Sequence, residues 1–112
     1  MTTTKILLAL GALAPLLAVA QTAGDPAAGR QKTAMCAGCH GIDGWRTAYP
    51  EVYSVPKLGG QHASYIMKAL QAYRSGERSH PSMKAIASSL SDKDMADLAA
   101  FYSMVDTKTA SK

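Results

Sequence analysis

The sequence predicts an all-α domain, and three observations support this fold class. Two segments, residues 62–75 and 91–105, place apolar side chains at the three- and four-residue spacing of an amphipathic helix. Residues typical of helix N-termini, Asp25 followed by Pro26 and Ser91 followed by Asp94, stand where helices would begin. No segment shows convincingly the alternation of apolar and polar residues that marks a half-buried strand.

The first twenty residues have the pattern of a cleavable export signal. Lys5 supplies a positive charge, residues 6–20 are almost all apolar, and Ala18-Val19-Ala20 matches the small-x-small site of signal peptidase. A membrane anchor is the alternative, but the run contains Pro15 and is shorter than the roughly 20 residues that span a bilayer. We therefore expect residues 1–20 to be removed, leaving a mature domain of residues 21–112 without a membrane span.

The first helix of that domain is predicted to begin at Asp25. A carboxylate at the N-cap and Pro26 in the first turn are both favourable there. The helix is expected to run to Met35 and to present the segment Cys36-Ala37-Gly38-Cys39-His40 at its C-terminal end. Gly29, inside the helix, indicates close packing against another element, although such a glycine is sometimes only tolerated.

The segment from Cys36 to His40 contains both cysteines of the chain, with a histidine directly after the second. Two thiols three positions apart can bond to the two vinyl groups of one haem, and the adjacent imidazole can bind its iron. A redox dithiol would need a βαβ pattern, a zinc site would need two more ligands, and a structural disulfide is the remaining alternative. The adjacent histidine favours haem c, with Cys36 and Cys39 as covalent attachment points and His40 as the proximal iron ligand.

The segment that follows, residues 41–60, is predicted to be a long loop because it is rich in glycine and proline. It also holds Trp45, Tyr49 and Tyr53. We expect these aromatic side chains to fold back over the core and the haem, and a ligand-binding surface is the alternative.

Two further helices are predicted after this loop. The first occupies residues 62–75 and stops before Gly76, a residue typical of helix C-termini. Residues 79–82 are then expected to form a loop that precedes Met83 and a short apolar segment. The last helix begins at Ser91, with Asp94 as the acid of a capping box. Its predicted buried stripe is Met95, Leu98, Ala99, Tyr102 and Val105, and the polar tail follows from Thr107.

The candidates for a second iron ligand are methionines and histidines. Met83 is favoured because it follows a turn that can lower a side chain onto the iron, and a thioether is a known haem ligand. His62 and His80 remain alternatives, since imidazole also suits iron. The other methionines lie next to the haem motif, on predicted helices or near the polar tail, where a core or surface role is more common. The full candidate set is Met35, Met67, Met83, Met95, Met104, His62 and His80.

The net charge and its distribution along the chain indicate which classes of binding partner to expect. The chain has 12 Lys and Arg against 8 Asp and Glu, a formal net charge of +4 that falls to +3 if Lys5 is removed. The positive charges are spread singly, so nothing indicates a nucleic-acid-binding surface. The balance supports only a mild preference for an acidic protein surface.

The mature chain resembles class I cytochrome c, especially the small soluble monohaem type of the bacterial periplasm. Thr33 departs from the family pattern, which usually has an aromatic residue there, and the loop over residues 41–55 looks longer than usual. The residues that carry the resemblance are Gly24-Asp25 with Gly29, the motif Cys36 to Gly41, the segment Pro56 to Gln61, Met83, and the stretch Leu90 to Tyr102.

The resemblance implies a cytochrome c fold of three to five helices wrapped around one covalently bound haem. It implies that the Pro56 carbonyl accepts a hydrogen bond from His40, that Met83 is the distal iron ligand, and that Phe101 crosses over Gly29. The implied function is a periplasmic, monomeric one-electron carrier, not an enzyme. Its partners would be redox proteins such as a quinol-oxidising complex, an oxidase or a dehydrogenase.

Two other functions remain open at this point. The same fold can serve as the electron-accepting subunit of a periplasmic dehydrogenase, with the aromatic loop as its interface. The second alternative function is a gas-binding or peroxidase haem with a vacant distal side. Helical-bundle proteins of that kind place the haem motif near the C-terminus, whereas here the motif comes early in the chain.

Overall fold

A computed structural model describes residues 23–42, 44–48 and 52–105 of the chain. In these ranges the secondary structure is helical, which confirms the predicted all-α class. The export signal predicted over residues 1–20, Tyr49 and the tail from Thr107 lie outside the described residues. Within the described part, no helix is both long enough and apolar enough to cross a bilayer. The helices are α1 (Pro26–Gln31), α2 (Ala34–His40), α3 (Ala63–Ser75), α4 (Pro81–Ser88) and α5 (Asp92–Met104).

The single helix predicted over residues 25–35 is in fact two helices. The Lys32 amide donates to the Gly29 carbonyl at 3.0 Å, which tightens the end of α1 into a shorter turn. The Thr33 hydroxyl donates to the Arg30 carbonyl at 2.9 Å and so competes with the helical hydrogen-bond pattern. As a result, the haem motif lies within a helix of its own, α2, and does not follow the end of α1.

The predicted helix ends are confirmed at three places. The Asp25 carboxylate accepts a hydrogen bond from the Ala27 amide at 2.9 Å and caps α1. Ser91 and Asp94 form the predicted capping box at the start of α5. Gly76 ends α3 with a φ of 91°, a left-handed conformation that glycine adopts without steric cost.

The loop predicted over residues 79–82 is wrong in its second half, because α4 already begins at Pro81. Proline at the first helical position is favourable, since the amide it lacks would have no partner within the helix. His80 is therefore the N-cap residue, and Met83 lies in the first turn of a helix and not after a loop.

The core is centred on α5, which packs against both α1 and α3, and α3 in turn packs against α4. Four of the five residues of the predicted stripe on α5 are buried, and Val105 lies just past its end and is half-buried. The buried apolar residues are Ile66, Ala87, Leu90, Met95, Ala96, Leu98, Ala99 and Tyr102.

The crossing of α1 and α5 is a contact between two backbones. A Cβ added to Gly29 would lie 2.1 Å from the Asp97 carbonyl oxygen and 2.9 Å from the Phe101 Cβ. A Cβ added to Gly24 would lie 1.9 Å from the Ala96 carbonyl oxygen. Only glycine fits at these two positions, which explains the interior glycine of α1.

Asp97 is the one buried charged residue in the described part of the chain. Its Oδ1 accepts the Asp25 amide at 2.8 Å, and its Oδ2 accepts the Lys32 ammonium at 2.8 Å. Lys93, one turn earlier on α5, donates to both oxygens at 3.0 and 2.9 Å. The buried carboxylate therefore joins the start and the end of α1 to α5.

These contacts shift the pKa values of the groups involved. The hydrogen bonds from Lys32, the Asp25 amide and Lys93 hold the pKa of Asp97 well below its ordinary value. Hydrogen bonds from Lys32 and Ser91 lower the pKa of Asp94 to about 2. The same two carboxylates raise the pKa of Lys32.

The first prediction concerns Asp97→Asn, which removes the charge that the two ammonium groups face. We expect the free energy of unfolding to fall by about 2 kcal/mol, because a neutral amide replaces a carboxylate that accepts hydrogen bonds from the Asp25 amide and from two ammonium groups. Urea unfolding of the haem-loaded protein, followed by circular dichroism, measures this change. Asp92→Asn is the control, since Asp92 forms a surface ion pair with Arg74 and should change stability little.

The same pair of variants tests how the free energy of unfolding depends on pH. A carboxylate whose pKa is lowered by folding stabilises the protein above its unfolded pKa, and that contribution is lost as the pH falls through the folded value. For Asp94 and Asp97 the loss should begin near pH 4 and continue towards about pH 2. Asp97→Asn should flatten this part of the stability curve, and an unchanged slope would contradict the assignment.

Candidate functional site

His40 is the last residue of α2, and one of its ring nitrogens has a close partner. Its Nδ1 lies 2.6 Å from the carbonyl oxygen of Pro56. A carbonyl oxygen only accepts hydrogen bonds, so this contact requires the proton on Nδ1. The Nε2 of the ring then carries the lone pair that a metal ion needs, which is the usual arrangement for a metal-binding histidine.

The segment that contains Pro56 is itself attached to α5. The Gly60 amide donates to the Tyr102 carbonyl at 3.0 Å, and Gly60 has a φ of 78°, which lets the chain turn there. The position of the Pro56 carbonyl is therefore tied to the central helix of the core.

Cys36 and Cys39 are one turn apart on α2, and both thiols are free. Residues three apart on a helix point in similar directions, so both sulfur atoms can reach one planar group. Cys36 is half-buried and packs against the core, whereas Cys39 is exposed. Burial raises the pKa of the Cys36 thiol, and a hydrogen bond from the Tyr102 hydroxyl opposes that shift in part.

The role of Tyr102 extends beyond the buried stripe in which the sequence placed it. Its phenol is buried in the core, and burial, followed by the interaction with the neighbouring Cys36 thiol, raises the pKa of Tyr102. A tyrosine in a stripe of otherwise apolar residues is the sequence feature that points to such a contact, since a buried phenol needs a partner.

The donor set formed by these side chains fits covalent haem. Two thiols lie on one helix, one of them packed against the apolar core, and the imidazole that follows is fixed in the tautomer that binds metal. Cys36 and Cys39 would hold the porphyrin, and His40 would hold its iron. The structure places Cys36 in the first turn of α2, against the core, and His40 at the C-terminal end of the same helix, where its ring contacts Pro56.

The candidates for the second axial ligand differ in their surroundings. Met95 is completely buried in the core, and Met67 packs against that core. Met35 and Met104 are exposed, Met104 by 74%. Met83 is half-buried in the first turn of α4, separate in sequence from the haem motif.

The two candidate histidines also differ. His62 is exposed and precedes α3, where its carbonyl accepts the first backbone hydrogen bonds of that helix. His80 is half-buried, and its Nδ1 accepts the Met83 amide at 3.3 Å. The only sequence feature that points to His80 as an N-cap is Pro81, because a proline that begins a helix makes the residue before it the N-cap.

The loop that follows the haem motif contains a short antiparallel pairing. Arg46 and Ser54 form a β-bridge, and the Val55 amide donates to the Trp45 carbonyl at 2.9 Å. Trp45 and Tyr53 are 43% and 44% exposed, and the expectation that these side chains fold back over the haem stays a prediction. The Tyr53 ring contacts the ring of His80, with centroids 5.1 Å apart.

Comparison with known proteins extends over most of the chain. The family model described as Cytochrome c matches residues 26–104. Cytochrome c4 of Pseudomonas aeruginosa is 39% identical over 98 residues, which cover 88% of this chain and 47% of that protein. Cytochrome c-554(548) of Halomonas halodenitrificans is 45% identical over 84 residues, covering 72% of this chain and 96% of that protein.

A solved structure supports the same relationship. The crystal structure of reduced recombinant cytochrome c4 from Pseudomonas stutzeri matches with a TM-score of 0.54 and 31% sequence identity. The match covers 74% of this chain and 50% of that one. The chain thus spans about half the length of the cytochrome c4 proteins and nearly the whole length of cytochrome c-554(548).

The second prediction concerns the two thiols. Cys36→Ser and Cys39→Ser should each leave a single thioether, so haem stays covalent and one vinyl group remains unreacted. The double variant should release all its haem into acidified organic solvent. The pyridine haemochrome spectrum reports the number of unreacted vinyl groups.

The two single variants should also differ in stability. Cys36 packs against the core and Cys39 is exposed, so Cys36→Ser should lower the unfolding midpoint more. Covalent haem in the double variant would contradict the assignment of both attachment points.

Proposed function

The chain belongs to the cytochrome c family, and from that premise we propose that it is a one-electron carrier with a single covalent haem c. Family members carry haem c, and the Cys36 to His40 segment fits their attachment motif. When bound, the haem supplies the reversible change between ferric and ferrous iron. The observation that carries the proposal is the hydrogen bond between His40 and Pro56, which fixes the imidazole next to the two thiols.

His40 is proposed as the proximal ligand. Because its Nδ1–H is held by the Pro56 carbonyl, the ring cannot rotate freely and Nε2 is presented in one direction. The hydrogen bond also increases the basicity of the ring, which strengthens a metal–nitrogen bond. Pro56 would thus influence a bound iron through the histidine.

Met83 is proposed as the distal ligand. It is half-buried near the start of a helix. Met67 is also half-buried but packs against the core, Met95 is a core residue, and Met35 and Met104 are exposed. A neutral thioether favours ferrous iron and raises the reduction potential. If His40 and Met83 both held the iron, no position on it would remain for a substrate, which would suit electron transfer and not an enzymatic reaction.

We further propose that the protein works in the periplasm as a monomer. Its partners would be redox proteins, such as a quinol-oxidising complex, an oxidase or a dehydrogenase. The alternative is the electron-accepting subunit of a periplasmic dehydrogenase. Size exclusion of native periplasmic extract distinguishes the two, because a free carrier elutes as a small protein and a subunit elutes with its enzyme.

The third prediction concerns Met83→Leu, which removes the sulfur and keeps a similar volume. The reduction potential should fall, and the sulfur-to-iron charge-transfer band of the oxidised protein should disappear. The reduced variant should bind carbon monoxide. A reductive titration followed by absorption measures the first two properties together.

Met67→Leu is the matched control, because Met67 lies on α3 and packs against the core. This variant should keep both the potential and the charge-transfer band. If Met83→Leu keeps them as well, another side chain is the distal ligand.

The fourth prediction concerns export. If Ala18-Val19-Ala20 is the cleavage site, the mature protein starts at Gln21. Intact-mass analysis of periplasmic protein should then show the mass of residues 21–112 plus one haem. Replacing Ala18 and Ala20 with bulky residues should leave the precursor uncleaved, and a mature protein that retains Met1 would contradict the proposal.

A further inference from the structure

The short helix α4 depends on an unusual N-cap. Proline at its first position has no amide, so the next amides of the first turn need partners from outside the helix. The Met83 amide finds one in the Nδ1 of His80, at 3.3 Å. Asparagine, aspartate, serine and threonine are the usual N-cap residues, and here an imidazole takes their place.

An imidazole can accept this hydrogen bond only if its ring is held in a suitable orientation. The Tyr53 ring lies against the His80 ring with centroids 5.1 Å apart and an interplanar angle of 59°. Tilted arrangements of this kind are favourable between aromatic rings. The Tyr53 contact therefore restricts the rotation of the His80 side chain.

Tyr53 is itself fixed by the antiparallel pairing in the loop. Its amide donates to the Thr47 hydroxyl at 3.0 Å, and its carbonyl accepts the Thr47 amide at 2.9 Å. These contacts are made by the backbone of Tyr53, so they locate the residue independently of its ring. A continuous series of contacts thus runs from Thr47 through Tyr53 and His80 to Met83.

We propose that Tyr53 and His80 are positioning residues that keep Met83 in place and slow its detachment. The proposal rests on the proposed function, in which Met83 is the distal ligand. Met83 is the third residue of α4, and its amide is the one that His80 binds. If this hydrogen bond is lost, the first turn can open, and the side chain on that turn moves with it.

The experiment measures how fast the distal ligand leaves. Imidazole is added to the oxidised, haem-loaded protein, and binding is followed by stopped-flow absorption. At high imidazole concentration the observed rate reaches a limit equal to the rate of Met83 detachment. We expect His80→Ala to raise this limiting rate about fivefold, the effect of losing a typical N-cap.

Conservative variants separate positioning from general stability. His80→Asn keeps an N-cap acceptor without an aromatic ring, so its limiting rate should stay near that of the wild type. Tyr53→Leu should raise the rate, and Tyr53→Phe should not. In the His80→Asn background, Tyr53→Leu should have no further effect, since the ring contact is already gone. Tyr65→Leu is the control for loss of an exposed tyrosine elsewhere.

The outcomes are distinguishable from a failure of the proposed function. If Met83→Leu binds imidazole at the limiting rate of the wild type, Met83 is not the ligand and both proposals fail. If Met83→Leu binds much faster while His80→Ala and Tyr53→Leu match the wild type, the ligand assignment holds and the positioning role is wrong. A wild-type protein without the sulfur-to-iron band, whose spectrum changes in His80→Ala, would make His80 the ligand and overturn the positioning role.

Discussion

The buried carboxylate of Asp97 is the contact on which the rest of the structure depends. It receives an amide hydrogen from the start of α1 and an ammonium group from its end, so it sets both the position and the direction of that helix. In the same arrangement the backbone of Gly29 lies against α5, where a Cβ would meet the Asp97 carbonyl oxygen. Since α2 follows α1 after a short turn, the direction of the first helix also determines where the haem motif begins. At this crossing a polar interaction holds the two helices together, whereas most helix crossings are held by apolar side chains.

From this crossing, α5 organises the site through two contacts of one residue. The Tyr102 carbonyl holds the segment after Pro56, and the Tyr102 hydroxyl contacts the first cysteine of the haem motif. The carbonyl of Pro56 in turn orients the ring of His40. The segment after Pro56 and the first cysteine of the haem motif are thus both held by the same turn of α5. In the proposed electron carrier, such an arrangement would keep the site geometry constant when the iron changes its charge, which would lower the reorganisation cost of electron transfer.

The features that could be predicted from sequence are those set by residues close together in the chain, such as the helices and their ends. Helices α3 and α5 followed from apolar periodicity, and their ends followed from Gly76 and from the pair Ser91 and Asp94. The break between α1 and α2 was not predicted, because the turn at its centre is held in part by the bond from Lys32 to a carboxylate 65 residues away. The cap formed by His80 was missed for a similar reason, since its ring is set by an aromatic residue from another segment. Haem c as the cofactor could be predicted from sequence, because the spacing of the two cysteines and the histidine determines which group they suit.

The contact between the Asp25 amide and Asp97 joins residues 72 positions apart. It closes a loop that contains the haem motif, the segment of Pro56 and the helix of Met83. Closing so long a loop costs conformational entropy, although the cost grows only slowly with length. Asp25 precedes the first helix and Asp97 lies in the last one, so a cut inside the loop would leave one side of the contact on each of two fragments. A cut in the turn after Gly76 would place His40 on one fragment and Met83 on the other, each within an intact helix, so that the two fragments would reassemble through the contact of Asp25 with Asp97.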